Sequence, residues 1–213
     1  MISVIMTAYN RAHLLPRAIG SLLAQTCADW ELVVVDDGST DATAGVAADF
    51  ARRDGRIRVV SQANTGLAWA RNAGIAVARG EWLTFLDSDD EYDPPHLQLR
   101  LSHVGARPGV DMLHGGLRIV GGPDTVPDRA NPGAVIRIAD CFVGGTFFMR
   151  RAVPEALGGF RRPDFGDDYD FMLRARERFV IERVDFPTYV YHRDTPDGMC
   201  NVEARRRGHG DPG

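Results

Sequence analysis

The chain has 213 residues, 44% of them hydrophobic, and 25 basic and 29 acidic side chains give it a formal net charge of −4. This length and apolar content are sufficient for one globular unit with a sizeable core. The slight acidity offers no basic surface for nucleic acid, and no apolar run approaches the ~18 residues of a membrane span. A nucleic-acid partner and a membrane-spanning protein are therefore excluded.

The three cysteines, Cys27, Cys141 and Cys200, are far apart in the sequence. Their number and spacing match neither a zinc site nor a disulfide framework, and they indicate reduced thiols. The residues from Met1 onwards have strand patterning without a basic leader. We therefore expect a cytoplasmic protein. Peripheral association with the inner face of the cell membrane and assembly into a homo-oligomer both stay open.

In the first half of the chain, short aliphatic runs alternate with segments of helical periodicity. Repeated βα units of this kind predict an α/β fold with a mostly parallel, Rossmann-like central sheet and helices on both faces. Ligands of such sheets bind beyond the carboxyl ends of the strands. The predicted strands are Ile2–Thr7, Glu31–Val35, Ile57–Val60 and Trp82–Leu86, with helices around residues 14–22, 43–50, 67–78 and 97–104.

The pattern becomes less regular after residue 106. Residues 111–120 read as one strand, residues 121–134 are rich in Gly, Pro and Asp, and shorter strands follow near 134–138 and 145–150. This part of the chain is expected to build the second wall of a cleft.

We expect residues 1–202 to form a single domain. Residues 1–105 and residues 106–202 would be its two halves. Residues 203–213 are polar and end in Gly and Pro, which predicts a flexible C-terminal tail.

Carboxylates are concentrated just after the fourth predicted strand, where Asp87, Asp89 and Asp90 follow a buried run. Clustered like charges are costly unless a cation or hydrogen-bond donors are bound there. A D-x-D turn offers hard oxygen ligands for Mg²⁺ or Mn²⁺, with substrate phosphates supplying further ligands. The alternative is a solvated, Asp-rich turn.

Asp37 lies directly after the second strand, at a place where a side chain can bond a ring N–H of a bound base. The alternative is an Asx turn that caps the next helix. Ser39 and Thr40 are already available as caps of that helix, as Asp93 is for the fourth, so we favour ligand binding by Asp37.

Asp167 and Asp168 stand in the first turn of a predicted helix, where the helix dipole favours the anionic form. A carboxylate that is ionised at neutral pH can accept a proton from an acceptor hydroxyl. The alternative is simple charge complementarity at the start of a surface helix.

These carboxylate clusters occur in an order that resembles the inverting family 2 glycosyltransferases of the GT-A fold. The resemblance extends over nearly the whole chain to about residue 195. It is specific in the combination of its motifs, since no single motif would establish it. In chain order they are SVIMTAYNR (3–11), SLLAQT (21–26), DDGSTD (36–41), ARNAGI (70–75), GE (80–81), DSDD (87–90), GGF (158–160) and DDYD (167–170).

The resemblance implies that residues 1–105 are the nucleotide-sugar-binding half of the domain and residues 106–202 its acceptor and catalytic half. It also implies a set of donor-binding residues. Thr7, Tyr9 and Asp37 match positions that hold the base of a nucleotide-sugar, with Tyr9 packed against its face. Arg71 and Asn72 match the helix segment that faces the donor, where an arginine could offset donor charge.

The resemblance also implies a metal site and a catalytic base. Asp89 matches the ligand of Mn²⁺ or Mg²⁺, Asp87 lies near the ribose and diphosphate, and His192 matches a position near the diphosphate and metal. Asp168 matches the general base. The preceding residue, Asp167, is usually a Glu in the family, so either carboxylate could reach the acceptor.

We therefore expect a hexosyltransferase of cell-envelope polysaccharide biosynthesis. It would transfer a sugar, with inversion, from a nucleotide-diphosphate sugar, most simply a UDP-sugar, to a saccharide or lipid-linked saccharide. A nucleotidyltransferase and a non-catalytic nucleotide-sugar binding protein are the alternatives. The first turn, Thr7 to Arg11, lacks the glycines of a nucleotidyltransferase phosphate loop, and no carboxylate cluster is missing.

Overall fold

The structure is a computed structural model that describes residues 1–128, 131, 133–161, 166–195 and 198. The strands are β1 Ile2–Ala8, β2 Trp30–Asp37, β3 Ile57–Gln62, β4 Trp82–Phe85, β5 Glu91–Tyr92, β6 Met112–His114, β7 Leu117–Val120, β8 Thr125–Pro127, β9 Val135–Arg137, β10 Phe148–Arg150, β11 Ile181–Arg183 and β12 Tyr189–His192. The α-helices are α1 Leu15–Leu23, α2 Thr43–Arg53, α3 Leu67–Val77, α4 His96–Ala106, α5 Ala152–Leu157 and α6 Asp167–Arg176.

A central sheet of seven strands has the order β11-β6-β10-β4-β1-β2-β3. Strand β1 pairs in parallel with β2 on one side and β4 on the other, and β10 is antiparallel to both of its neighbours. The remaining pairs of the sheet, β2 with β3 and β6 with β11, are parallel. The predicted α/β fold with a mostly parallel sheet is confirmed.

Helices cover both faces of this sheet because successive strand residues point to opposite sides. Val4 and Met6 of β1 pack in the core that contains α1, α2 and α4, whereas Ile5 packs in the core that contains α3, α5 and α6. All three side chains are buried, which explains why the parallel strands are continuously aliphatic rather than alternating.

The single strand expected over residues 111–120 is wrong. Gly115 and Gly116 have φ angles of +88° and +74°, and they separate β6, in the central sheet, from β7, in a three-stranded sheet of order β5-β12-β7. A Cβ on Gly116 would lie 2.4 Å from the carbonyl oxygen of Phe186. The glycine pair therefore permits both the left-handed turn and the close approach of this backbone.

The side chains expected from local sequence to cap α2 and α4 do not do so. The side chains of Ser39 and Thr40 do not cap α2, nor does that of Asp93 cap α4. Gln25, just after α1, accepts the N–H of Leu97 at 3.0 Å and donates to the carbonyl of Asp93 at 2.9 Å. This glutamine fixes the start of α4 from a distant part of the sequence.

The central sheet takes strands from both expected halves of the chain, with β6, β10 and β11 coming after residue 106. The division at residue 105 and the single domain over 1–202 stay predictions. Residues 203–213 and Cys200 lie outside the described residues, whereas Cys27 is a buried free thiol. None of the described helices has the length and apolarity that a membrane crossing requires.

Gln25→Ala is expected to lower the free energy of unfolding by about 0.5–2 kcal/mol, because the first turn of α4 loses its cap. Urea unfolding followed by circular dichroism measures this. Gln98→Ala is the matched control, since Gln98 is an exposed glutamine of α4 that bonds only Ser102. Equal stability of the two variants would contradict the capping role.

Candidate active site

A cavity of about 930 Å³ opens beyond the carboxyl ends of β1, β2 and β4. This is where ligands of parallel α/β sheets bind, and the volume is ample for a nucleotide-sugar. Nine of the ten residues predicted from the sequence line this cavity. They are Thr7, Tyr9, Asp37, Arg71, Asp87, Asp89, Asp167, Asp168 and His192.

The tenth predicted residue, Asn72, is not among the residues that line the cavity. Its side chain accepts the N–H of Phe160 and donates to the carbonyl of Phe160, both at 2.8 Å. A Cβ on Gly159 would lie 2.4 Å from the amide oxygen of Asn72. Asn72 therefore holds the Gly159–Phe160 backbone against α3, and its expected place in the donor site stays a prediction.

The loop after β1 is tied to the loop after β2 by Asn10, which sequence reasoning missed. Asn10 has a left-handed φ of +55°, and its side chain accepts the N–H groups of Thr40 at 2.8 Å and of Asp41 at 3.3 Å. Its own N–H donates to Ser39 Oγ at 3.0 Å. The preceding residue, Tyr9, is 46% exposed and lines the cavity.

Asp37 is 4% exposed and holds the loop that precedes α3. One carboxylate oxygen accepts the N–H of Thr65 at 2.9 Å and the side-chain amide of Gln62 at 2.8 Å. The other accepts the N–H of Gly66 at 2.9 Å. Asp37 thus ties down the start of α3, and contact with a bound base stays a prediction.

The acidic turn after β4 is organised by Tyr189, which the sequence did not single out. The Tyr189 hydroxyl donates to Asp90 at 2.6 Å, and the backbone N–H of His192 donates to the same carboxylate at 2.8 Å. Burial, with the charges of Asp89 and Asp87, raises the pKa of Asp90 well above its usual range. Asp90 is therefore a structural group, whereas Asp87 and Asp89 are partly exposed.

Arg17 of α1 supports the same turn, since its guanidinium donates to the carbonyl of Asp89. Arg17 Nε also lies 3.6 Å from Glu91, whose carboxylate is 2.7 Å from His192 Nε2. The other ring nitrogen of His192 has no hydrogen-bond partner among the residues that the structure describes, and it lies 3.4 Å from an Asp194 oxygen. The predicted metal contact of His192 would therefore have to use Nδ1.

No three His, Cys, Asp or Glu side chains in the described part of the chain are close enough to form a ready metal site. Mg²⁺ and Mn²⁺ in nucleotide sites commonly use one or two carboxylates, with phosphates and water completing the shell. Asp87 and Asp89 supply hard oxygens of this kind at the cavity wall. The donor set therefore fits a divalent cation that arrives with a diphosphate.

Arg71 is buried between the acidic turn and the start of α6. Its guanidinium donates to Asp167 at 2.8 Å and to Asp87 at 3.3 Å. The Phe160 and Phe85 rings lie 5.3 and 5.5 Å from its central carbon. Although burial opposes the charge, the neighbouring carboxylates raise the pKa of Arg71 above its ordinary value. Arg71 is therefore a fixed cation.

Asp167 and Asp168 have different surroundings despite being adjacent. Asp167 is 4% exposed and paired with Arg71. Asp168 is partly exposed and accepts the N–H groups of Gly144 at 3.2 Å and Tyr169 at 2.8 Å. Burial and the charge of Asp167 raise the pKa of Asp168 to about 6, and Arg71 limits that rise. Asp168 can therefore exchange a proton near neutral pH.

The wall next to Asp168 is largely apolar. It is formed by the hairpin β8–β9, the segment that follows it and the first turn of α6. The Phe142 and Tyr169 rings are 5.9 Å apart there, and Tyr169 directly follows Asp168. The apolar and aromatic residues of this wall are Val126, Pro127, Ile136, Ile138, Phe142, Val143 and Tyr169.

A curated relative from Escherichia coli matches part of this chain. It is the UDP-Glc:alpha-D-GlcNAc-diphosphoundecaprenol beta-1,3-glucosyltransferase WfgD, 35% identical over 121 residues, which are 56% of this chain and 47% of that protein. The chain spans less than half the length of each of the first curated relatives it matches.

Two solved structures have the same fold. Staphylococcus aureus TarS 1-349 in complex with UDP-GlcNAc aligns with a TM-score of 0.75 and 22% identity over 93% of this chain and 60% of that one. Mannosyltransferase PcManGT from Pyrobaculum calidifontis, in complex with GDP-Man and Mn²⁺, aligns with a TM-score of 0.73 and 21% identity over 97% and 60%. The fold expected from the resemblance, GT-A, is thereby confirmed.

The family model described as "Glycosyl transferase family 2" matches residues 3–155, which contain β1 to β4 and the acidic turn. The match covers well over half of the chain and includes most of the cavity. The chain belongs to glycosyl transferase family 2.

Proposed function

We propose that this chain is the catalytic part of an inverting glycosyltransferase that moves a sugar from a UDP-sugar to an acceptor hydroxyl. The observation that carries the proposal is one cavity that joins the acidic turn of Asp87 and Asp89 to the partly exposed carboxylate of Asp168. The first group suits a metal-bound diphosphate, and the second suits a general base.

The donor half of the cavity would hold the nucleotide. Thr7, Tyr9 and Asp37 lie at the ends of neighbouring parallel strands, and Tyr9 offers an exposed ring for the base. The complex of TarS with UDP-GlcNAc, a protein of the same fold, supports a UDP-sugar as the donor. The GDP-Man complex of PcManGT has the same fold, so the test below compares both nucleotides.

Asp89, with Asp87 beside it, would hold Mn²⁺ or Mg²⁺ together with the diphosphate. The Mn²⁺ in the complex of PcManGT supports this. When bound, the cation supplies Lewis acidity to the departing diphosphate and offsets the repulsion between phosphate and carboxylates.

The transfer would be a direct displacement. Asp168 accepts the proton of the acceptor hydroxyl while the hydroxyl oxygen forms a bond to the anomeric carbon. The bond between that carbon and the diphosphate oxygen breaks, and the nucleoside diphosphate leaves. Attack from the face opposite the leaving group inverts the configuration.

The acceptor would lie against the apolar wall beside Asp168. Phe142 and Tyr169 offer flat surfaces for a sugar ring, and the hairpin side chains offer apolar area for a lipid. The name of the E. coli relative, which acts on a diphosphoundecaprenol-linked sugar, supports a lipid-linked saccharide in cell-envelope polysaccharide synthesis. A cytoplasmic site of action, with peripheral contact to the membrane, follows from such a donor and acceptor.

Nucleotide binding is expected to require a divalent cation. The affinity for UDP should fall at least about tenfold when EDTA replaces Mn²⁺, because the carboxylates of the acidic turn then repel the diphosphate. Calorimetry with UDP and with GDP measures this, and Asp89→Asn should show the same loss in the presence of Mn²⁺. Asp49→Asn, at an exposed aspartate of α2, is the control. Equal UDP affinity with and without EDTA would rule out the metal role.

Asp37→Asn is expected to lower the free energy of unfolding by about 1–3 kcal/mol, because the amide cannot accept the N–H groups of both Thr65 and Gly66. The affinity for UDP should also fall, because the loop that precedes α3 is no longer held in place. Thermal unfolding with and without UDP measures both effects, again with Asp49→Asn as the control. Unchanged stability and unchanged UDP affinity would contradict both roles of Asp37.

Asp168→Asn is expected to reduce turnover by ~10²–10⁴ with donor binding nearly unchanged, since an amide cannot take the acceptor proton. Asp167→Asn should be milder. The base must be ionised, so kcat/KM of the wild type should fall as the pH drops through about 6, the pKa of Asp168. Turnover is measured as release of nucleoside diphosphate. Release of pyrophosphate from a nucleoside triphosphate and a sugar phosphate would indicate a nucleotidyltransferase instead.

A further inference from the structure

One buried arginine joins the donor side of the cavity to its catalytic side. Arg71 Nη2 is 3.3 Å from Asp87 in the turn after β4, and Arg71 Nη1 is 2.8 Å from Asp167 at the start of α6. These carboxylates are 80 residues apart in the sequence, and the same guanidinium pairs with both. The short bond to Asp167 and the longer one to Asp87 connect the two segments through one rigid, planar cation.

The surrounding residues leave the guanidinium little freedom to move. The rings of Phe85 and Phe160 lie within 5.5 Å of its central carbon. A Cβ on Gly144 would lie 2.9 Å from Nη2 and 3.0 Å from Nη1, so this side of the guanidinium is closed by backbone. The same glycine donates its N–H to Asp168, so the support of Arg71 and that of Asp168 share one residue.

Two adjacent carboxylates in a crowded site would ordinarily share a proton, with neither one assigned to catalysis. Here the charged groups that act on Asp168 are Asp167, on its own helix, and Arg71, on α3. Asp87 faces the same guanidinium from the turn after β4. Arg71 bonds Asp167 directly and so holds that carboxylate against α3, whereas the carboxylate of Asp168 accepts the backbone N–H of Gly144.

We propose that Arg71 is a positioning residue that makes Asp168, and not Asp167, the general base. Through the same two contacts Arg71 holds the start of α6 next to the acidic turn after β4. This inference rests on the proposed function. It assigns Arg71 a role between two carboxylates of the protein rather than a direct contact with the donor diphosphate.

The first test follows the ionisation of Asp168 without any substrate, by NMR titration of the aspartate side-chain carboxyl carbons. Asp168→Asn assigns the signal. In Arg71→Met the titration midpoint of Asp168 should rise by about one pH unit or more, because an opposite charge is lost. In Asp167→Asn it should fall, because a like charge is lost. Shifts of opposite sign are not expected from general loosening of the site.

Arg71→Met leaves the buried carboxylate of Asp167 uncompensated and can unfold the protein. The double variant Arg71→Met/Asp167→Asn removes both charges of the pair, so it should remain folded with an Asp168 midpoint between those of the two single variants. Arg58→Met is the control, because it removes a guanidinium from a different carboxylate, Glu31. It should leave the Asp168 midpoint unchanged.

The second test measures turnover against pH. In each folded variant, the pH at which kcat/KM falls on the acid side should shift by the same amount as the NMR midpoint of Asp168. Arg71→Lys should lower kcat by a larger factor than it raises the KM for the donor. The inference would be overturned if the Asp168 midpoint of Arg71→Met equalled that of the wild type. It would also be overturned if the midpoint of the double variant equalled that of Asp167→Asn, or if Asp167→Asn abolished transfer while Asp168→Asn retained it.

The two tests separate failure of this inference from failure of the proposed function. The expected NMR shifts together with no sugar transfer by the wild type would contradict the proposed function while supporting the charge arrangement. Sugar transfer by the wild type without the NMR shifts would contradict the inference alone.

Discussion

The excess of negative charge in the cavity is the constraint on which the arrangement of the site depends. Among the described residues that line it, eight are aspartates and three are arginines. The protein stabilises the buried carboxylates individually, since Asp37 accepts backbone N–H groups, Asp90 accepts the Tyr189 hydroxyl and Asp167 pairs with Arg71. The aspartates assigned to chemistry, Asp87, Asp89 and Asp168, stay partly exposed to the cavity. The charges of these three aspartates are thus available to be neutralised by a ligand, a metal ion or a proton, as the proposed function requires.

The parts of the site that sequence predicted are those that follow from parallel strands. A buried aliphatic run followed by a polar turn and a helical period places each turn at the same edge of the sheet. Tyr9, Asp37 and Asp87 follow three neighbouring strands in this way, so their meeting in one cavity required no knowledge of distant contacts. The first half of the fold was predictable for the same reason.

The parts that sequence missed depend on partners far away in the chain. Tyr189 bonds Asp90 across 99 residues, Asn72 bonds Phe160 across 88, and Gln25 caps α4 across 72. Local periodicity contains no information about such pairs, and a capping residue next to a helix is a reasonable but incorrect choice when a distant amide is closer. The Gly115–Gly116 pair was visible, yet only the approach of Phe186 shows that it separates two sheets.

Asp167 and Asp168 show that two residues of the same type, adjacent in sequence, can have different surroundings and different proposed roles. The two side chains are chemically identical, and no pattern in the sequence separates them. One residue in a helix is a rotation of about 100°, which turns Asp167 towards the buried guanidinium of Arg71 and Asp168 towards the backbone N–H of Gly144, while both line the cavity. The short side chain at position 167 is sufficient for this pairing because α3 brings Arg71 within 2.8 Å. The different roles we propose for these two carboxylates therefore depend on the ion pair between α3 and α6.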